Sequence, residues 1–207
     1  MAEDIAKLGR HPERGVYDFP TIAAIFDEAL ICHVGFVASD NQPIVLPTIH
    51  ARIDRTLYLH GSVLARWLKG AAGSKLCITA TIVDDLVLAR SAFNHSMNYR
   101  SAVAMGTASI VDSSREREIA LEAVVEHVMP GRWSDARLPT AGELAATVVV
   151  KMPIEQASAK IRTGPPVDIA SDLSLDVWAG LLPLRTGYGE PAPDPKLRPG
   201  IAVPEYL

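Results

Sequence analysis

Between Ile31 and His60 the chain holds three apolar runs joined by turns too short to carry a crossover. Ile31 to Ala38 is the first, and Asp40-Asn41 after it is a turn signal. Ile44 to Ile53 is the second, and Asp54-Arg55 turns it into Thr56 to His60. Parallel neighbours need a crossover of a dozen or more residues, so connections this short fix antiparallel pairing. The segment reads as a meander and not as a βαβ repeat. Pro47 interrupts the second run, which suggests a bulge or a sheet edge, where no ladder donor is needed.

The same punctuation continues. Gly61-Ser62 breaks the third strand, and Val63 to Lys69 reads as a short helix with Ser62 as N-cap. Lys75 to Val83 alternates Cys77, Thr79 and Thr81 against Leu76, Ile78, Ala80 and Ile82, a strand pattern. Asp84-Asp85 reads as a turn into Leu86 to Ala89, and a loop around Asn94 to Asn98 leads to a long strand, Tyr99 to Val111. Gly106 within it suggests a bulge or a close backbone approach. Thr147 to Ile154 and Ala157 to Arg162 add further strands. Helices are expected where Ile22, Ile25, Phe26, Ala29 and Leu30 follow Pro20, and again from Ser113 to Pro130-Gly131. In the second, Ile119, Leu121, Ala123, Val124 and Val128 form the apolar side. Six or more hairpin-connected strands with helices inserted between them suit a small antiparallel barrel.

The expected organisation is an arm over 1–19, a barrel domain over 20–163 and a Pro-rich extension over 164–207. Within the extension Val177-Trp178-Ala179-Gly180-Leu181-Leu182 is an apolar island that needs a surface to bury against, such as the barrel or a partner subunit. With 207 residues and a net charge of −4, one sizeable core is expected and a nucleic-acid partner is disfavoured. Cys32 and Cys77 sit in apolar runs and read as two buried thiols of a reducing compartment. His11, His33, His50, His60, His95 and His127 show no helical metal spacing, and no metal site is expected. His33 reads as a satisfied core or interface histidine. The segment 1–14 has no apolar core of a signal peptide, and no run reaches the ~20 apolar residues of a membrane span. The expectation is a cytoplasmic protein with no membrane contact.

Three clusters carry candidate chemistry. Tyr58-Leu59-His60-Gly61-Ser62, with Arg66 one turn on, places backbone amides, a hydroxyl and a guanidinium where a phosphate could bind. The same residues also read as an N-cap and a solvated arginine. Arg90 to Ser101 is densely polar and aromatic between two apolar strands, and reads as a binding loop or a solvated hairpin connection. Strand alternation puts Asn98 and Arg100 on one face and Tyr99 and Ser101 on the other. Lys160 and Arg162 alternate in the last strand, as phosphate ligands or as a charged edge. No Gly-x-Ser-x-Gly elbow and no Gly-x-Gly-x-x-Gly fingerprint occurs.

Several ordered blocks together resemble the flavin-nucleotide-binding branch of the pyridoxamine-5′-phosphate-oxidase-related superfamily. They are Arg14-Gly15-Val16-Tyr17-Asp18, Cys32-His33-Val34-Gly35-Phe36 and Leu57 to Ser62, then Leu86 to Phe93 and His95 to Ser101, and finally Ala159 to Pro166 and Val177 to Gly180. The resemblance implies a six-stranded antiparallel split β-barrel with peripheral helices. It also implies a homodimer, with FMN or FAD in clefts between the subunits and a small-molecule substrate. Pro47 and Thr48 would line the isoalloxazine. Ser62 and Arg66 would hold the phosphate, with His60 beside them. Asn98, Tyr99, Arg100, Ser101 and Lys160 would add cofactor contacts, and Trp178 would reach a flavin from the partner chain. His60 and His95 are the candidate acid–base groups. The oxidase's own substrate-binding Arg-x-His-x-Arg is absent, so the resemblance points to flavin binding without pyridoxamine-phosphate oxidation. An FMN-dependent oxidoreductase, a non-catalytic flavin carrier or sensor, a nitroimidazole-reductase-like barrel and a haem-binding barrel are the uses it leaves open.

Overall fold

The computed structural model describes residues 6–38, 40–71 and 73–207, without the side chains of Arg66 and Lys69. In chain order the elements are β1 (Gly15–Val16), α1 (Phe19–Glu28), β2 (Cys32–Val37), β3 (Pro43–Thr48), β4 (His50–Ile53), β5 (Thr56–Ser62), α2 (Arg66–Ala71) and β6 (Lys75–Leu88). They continue with β7 (Ser96–Thr107), β8 (Ser109–Ile110), α3 (Ser114–Val128), α4 (Arg132–Asp135), α5 (Ala141–Ala145), β9 (Thr147–Pro153), β10 (Gln156–Arg162) and β11 (Gly180–Pro183). The larger sheet runs β1-β10-β7-β6-β2-β3, with β11 also on β6, and the smaller runs β4-β5-β9-β8. Every pairing is antiparallel. The two sheets do not close on one another, which makes the architecture the expected split barrel.

The core lies between the sheets, closed at one side by α1. Along β6, β7 and β10 it holds the small Ala80, Ala102, Ala104 and Ala159, fully or nearly fully buried, beside Leu76 and Ile78 of β6. They face larger residues, Leu57, Leu59, Val150 and Met152, from β5 and β9, and Ile22, Ile25 and Phe26 from α1. Asp18 caps α1 by accepting a hydrogen bond from Thr21 N; Pro20 lies in the first turn, as the sequence predicts.

Pro47 lies inside β3, which is the edge strand. The chain leaves that sheet at Ile49 and not at the proline. Gly106 marks a close approach: a Cβ there would lie 2.0 Å from the Pro153 carbonyl oxygen. Just beyond it the chain passes from β7 into β8 and so from one sheet to the other.

Four sequence expectations change. Asp84-Asp85 does not turn the chain; β6 runs through it with a register shift between Val83 and Asp85, a bulge. Arg100 and Asn98 bind the two carboxylates, which lets them stay in the strand. Ser62 is not the N-cap of α2 but the last residue of β5, paired with Thr147. Val63 N donates to Ala146 O, so the helix starts only at Arg66. On α3 only Ala120 and Val124 are buried, while Ile119 and Val128 are exposed, because the helix covers one narrow edge of the smaller sheet. Cys77 is exposed on the outer face of β6, whereas Cys32 is buried and its thiol is pushed up to about 12 by burial.

Segments on both flanks of the barrel are tied to it. Gly15–Val16 extends the large sheet by pairing with β10. Asp168 accepts hydrogen bonds from the backbone and guanidinium of Arg90 and pins the start of the Pro-rich extension. Within the apolar island, Gly180–Pro183 pairs with β6 of its own chain.

Candidate functional site

The large sheet turns one face to the core and leaves the other bare. Register and alternation assemble the bare face into rows. Val45, Gly35, Cys77 and Met105 form one row; Pro47, His33, Thr79 and Val103 the next. Thr81, Ser101 and Lys160 follow, and then Val83, Tyr99 and Arg162. Polarity therefore rises along the sheet, from valine and methionine through hydroxyls to two cations. None of these rows holds a carboxylate. His33 stands exposed on this face, not in the core.

A cavity lies at each end. The apolar one, about 460 Å³, is lined by Val37, Val45, Cys77 and Met105, with Lys75 and Glu155 among its polar residues. The polar one, about 430 Å³, lies between the segment around Arg14, the turn before β7 and the end of β10. Arg10, Arg14, Lys160 and Arg162 bring four cations to it.

The sequence-predicted residues separate into groups. Pro47, Tyr99, Ser101 and Lys160 share the bare face. Ser101 Oγ accepts from Thr81 Oγ1 at 3.0 Å. Thr48, one residue on, takes the opposite face, and its hydroxyl donates to the Ile49 carbonyl. Arg100 and Asn98 also lie opposite Tyr99 and Ser101, in agreement with the alternation read from sequence. The Arg100 guanidinium is held by Glu28 and Asp84. The hydrogen bonds Arg100 donates to these carboxylates push its pKa upward and keep the Glu28 carboxyl below its usual range, so its charge is balanced within the chain. Asn98 is buried, donates to Asp85 and accepts from Arg162.

His60 and Ser62 belong to the smaller sheet, on the face shared with Tyr58. The His60 ring is half-buried with its Nδ1 unpartnered, and burial lowers its pKa, which favours the neutral ring. Ser62 Oγ accepts from Leu64 N. The side chain of Arg66 lies outside the described residues. Trp178 is 67% exposed and stands against Gly180, where a Cβ would meet the indole at 2.9 Å. His95 is exposed, and its Nδ1 donates to the Ser91 carbonyl at 3.0 Å, leaving Nε2 as a free acceptor.

Arg10 and Arg14 line the polar cleft and were not singled out from sequence, whereas Phe93, also at the cleft, belongs to the Arg90 to Ser101 segment read as a binding loop. The signal available was the Arg14-Gly15-Val16 block, which becomes a site only when β1 adds to β10 beside Lys160.

Comparison with known proteins gives three findings. A family model described as pyridoxamine 5′-phosphate oxidase matches residues 19–161. No curated protein matches. Among solved structures, the chain is similar to the flavocytochrome Anf3 from Azotobacter vinelandii, at 35% identity and a TM-score of 0.91 over 99% of this chain and 95% of that one. It is similar to the FAD and heme binding protein from Mycobacterium smegmatis, at 31% identity and a TM-score of 0.88 over 93% of this chain and 95% of that one. A FAD-binding protein from Mesorhizobium loti, at 18% identity and a TM-score of 0.51 over 72% of this chain and 98% of that one, shares the fold.

Proposed function

The chain belongs to the pyridoxamine 5′-phosphate oxidase family, and from that premise we propose that it is a flavin-dependent redox protein that works as a homodimer on a small molecule. The observation that carries this reading is the bare sheet face. It offers apolar residues for a tricyclic ring, hydroxyls for its polar edge and cations for its phosphate, in that order and with no carboxylate between them. The two relatives that span nearly the whole chain are both named for flavin or FAD together with haem or cytochrome, which supports the same reading.

Pro47, Ser101 and Tyr99 are the residues of this face that would hold the ring, and Lys160 the one nearest that would balance a phosphate. A bound flavin supplies hydride or single-electron exchange. The chain's own part is to position it, to exclude water with the apolar row and to keep anionic charge matched. A second subunit would cover Val37, Val45 and Pro47, which are exposed in the single chain, and the exposed Trp178 would contribute to such a cleft. The extension over 164–207 would then belong both to the barrel, through β11, and to the interface. Cytoplasmic location is part of the same proposal; among the described residues no helix is long and apolar enough to cross a membrane.

The test is the visible spectrum of the purified protein, with mass identification of what denaturation releases. A yellow protein releasing FMN or FAD is expected. A colourless protein that takes up neither would refute the reading.

A second reading adds haem. His33 has no hydrogen-bond partner among the described residues, and its row borders the row of Val45, Cys77 and Met105 that lines the apolar cavity. An imidazole beside an apolar slot would supply a ligand to a haem iron. A Soret band lost in His33→Ala with the flavin retained would support it, and a protein without a Soret band after haem reconstitution would exclude it.

A further inference from the structure

We propose that the apolar groove at the β2–β3 end of the bare face binds a small apolar acid, a molecule with a hydrocarbon body and one carboxylate. Its role as a substrate rests on the flavin reading above; its binding does not. The observation that carries the proposal is Gly35. β2 runs through this glycine in continuous register with β3 and β6, without a bulge, and its φ lies outside the left-handed region. A Cβ there would meet the Cys77 carbonyl at 3.4 Å and a methyl of Val45 at 3.9 Å, both ordinary contacts. Neither conformation nor crowding therefore requires glycine, and glycine weakens a strand. What the missing side chain does is leave a hollow between Val45 and Cys77, where another molecule can approach the backbone closely.

The hollow opens into the cavity of about 460 Å³. Val37 and Val45, 58% and 64% exposed, line one side of it and Met105 the other, which suits a hydrocarbon. Charge then sets the class of ligand. Lys75 lines the same groove, two residues before Cys77 on the same face of β6. Its ammonium makes no ion pair among the described residues. Glu155, at the same end, is committed elsewhere: its carboxylate accepts from the Thr107 amide at 3.0 Å. One unpaired cation at the edge of an apolar slot complements one carboxylate. Anions of higher charge are better matched by the four cations at the opposite end of the face. The groove row borders the row of Pro47, so a bound acid lies beside the place proposed for the ring. A second subunit over Val37 and Val45 would roof the groove and exclude water from it.

The experiment titrates octanoate, and octanol as its neutral counterpart, against the fluorescent apolar anion 1-anilinonaphthalene-8-sulfonate bound to the purified protein. It compares wild type with G35V, which fills the hollow, and with K75Q, which removes the charge from an exposed side chain. Octanoate should displace the fluorophore from wild type and bind about tenfold more tightly than octanol, as a charge-assisted contact does. K75Q should lose that preference and keep its affinity for octanol. G35V should fold, melt no lower than wild type and lose roughly tenfold or more for both ligands. Octanoate binding no better than octanol, or a K75Q that keeps the preference, would overturn the assignment; K75Q decides the question if G35V does not fold. A folded G35V that binds like wild type would also overturn it. So would a G35V that sediments as a monomer with octanoate binding unchanged, which would give Gly35 to a subunit contact. Haem uptake lost in G35V, with octanoate unable to compete, would hand the groove to haem and overturn it as well. A colourless protein that binds octanoate as described would support this site and remove only the flavin reading.

Discussion

Acid should destabilise this protein through one histidine. His50 begins β4 and is completely buried. Its Nε2 donates to the Phe26 carbonyl at 2.8 Å, its Nδ1 has no partner, and the His127 ring lies 4.7 Å away. Burial, with His127 adding to it, lowers its pKa from an ordinary 6.5 to about 4; the bond to Phe26 and the nearby Asp27 oppose that only in part. In the folded protein the ring is therefore neutral down to about pH 4, whereas in the unfolded chain it takes up a proton near 6.5. Between those values the unfolded state binds more protons, so stability falls as pH falls. It is fully present above 6.5 and lost progressively toward 4. At about 1.4 kcal/mol per pH unit, that window is worth about 3 kcal/mol. Urea unfolding at a series of pH values would measure it in wild type and in His50→Gln, whose amide can still donate to Phe26. Carboxylates add their own acid sensitivity at the lower end, so the difference between the two proteins is the readout. The variant should lose most of the slope between pH 6.5 and 4.5. Equal slopes in the two proteins would refute the reasoning.

Three other outcomes are expected. Gly106→Ala should cost about 3 kcal/mol or more, since the new methyl collides with the Pro153 carbonyl and a backbone cannot step aside as a side chain can; thermal melting would show it. Asp168→Ala should free the extension from Arg90 and expose residues 164–180 to limited proteolysis, with the barrel core left intact. Val45→Asp should turn the proposed homodimer into monomers in sedimentation velocity and release any bound flavin, because a charge replaces the exposed valine at the β3 end of the apolar row; a wild-type protein that sediments as a monomer would refute the interface.

The barrel was legible because most of its strands announce themselves locally. Alternation in Lys75 to Val83 separates Ile78 and Ala80, which are buried, from Cys77 and Thr81, which are not. Short turns then dictate pairing order. What misled was every feature settled by a distant partner. Asp84-Asp85 carries a turn signal, and only the guanidinium of Arg100 and the amide of Asn98, brought over by β7, turn it into a bulge. Ser62 reads as a helix cap until β9 arrives to pair with it. Cys77 looked buried because its neighbours are apolar, but strand geometry sends it to the other face from Leu76 and Ile78.

The site divides along the same line. Tyr99 and Ser101 were readable as one face, since alternation within a strand is local information, while Lys160 joins them only through the pairing of β10 with β7. The cationic cleft was not, because Arg10 and Arg14, Phe93, and Arg162 come from three separate segments and meet only after β1 docks on β10. The split also explains why Arg100 drew attention in the sequence although its charge is spent inside the fold. It sits in the same polar block as Ser101 but on the other side of β7, where Glu28 of α1 and Asp84 of β6 neutralise it. Parity along one strand thus sorts two neighbouring residues into different tasks. The even-numbered Arg100 ties α1 to the sheet, and the odd-numbered Tyr99 and Ser101 remain on the open face. Moving the register of β7 by one residue would exchange those tasks, burying two hydroxyls against alanines and turning an arginine outward. Gly106 forbids that slip, because only glycine fits beneath the Pro153 carbonyl where β7 passes β9. The residue that fixes the fold at the strand's far end is therefore also what holds the open face in register.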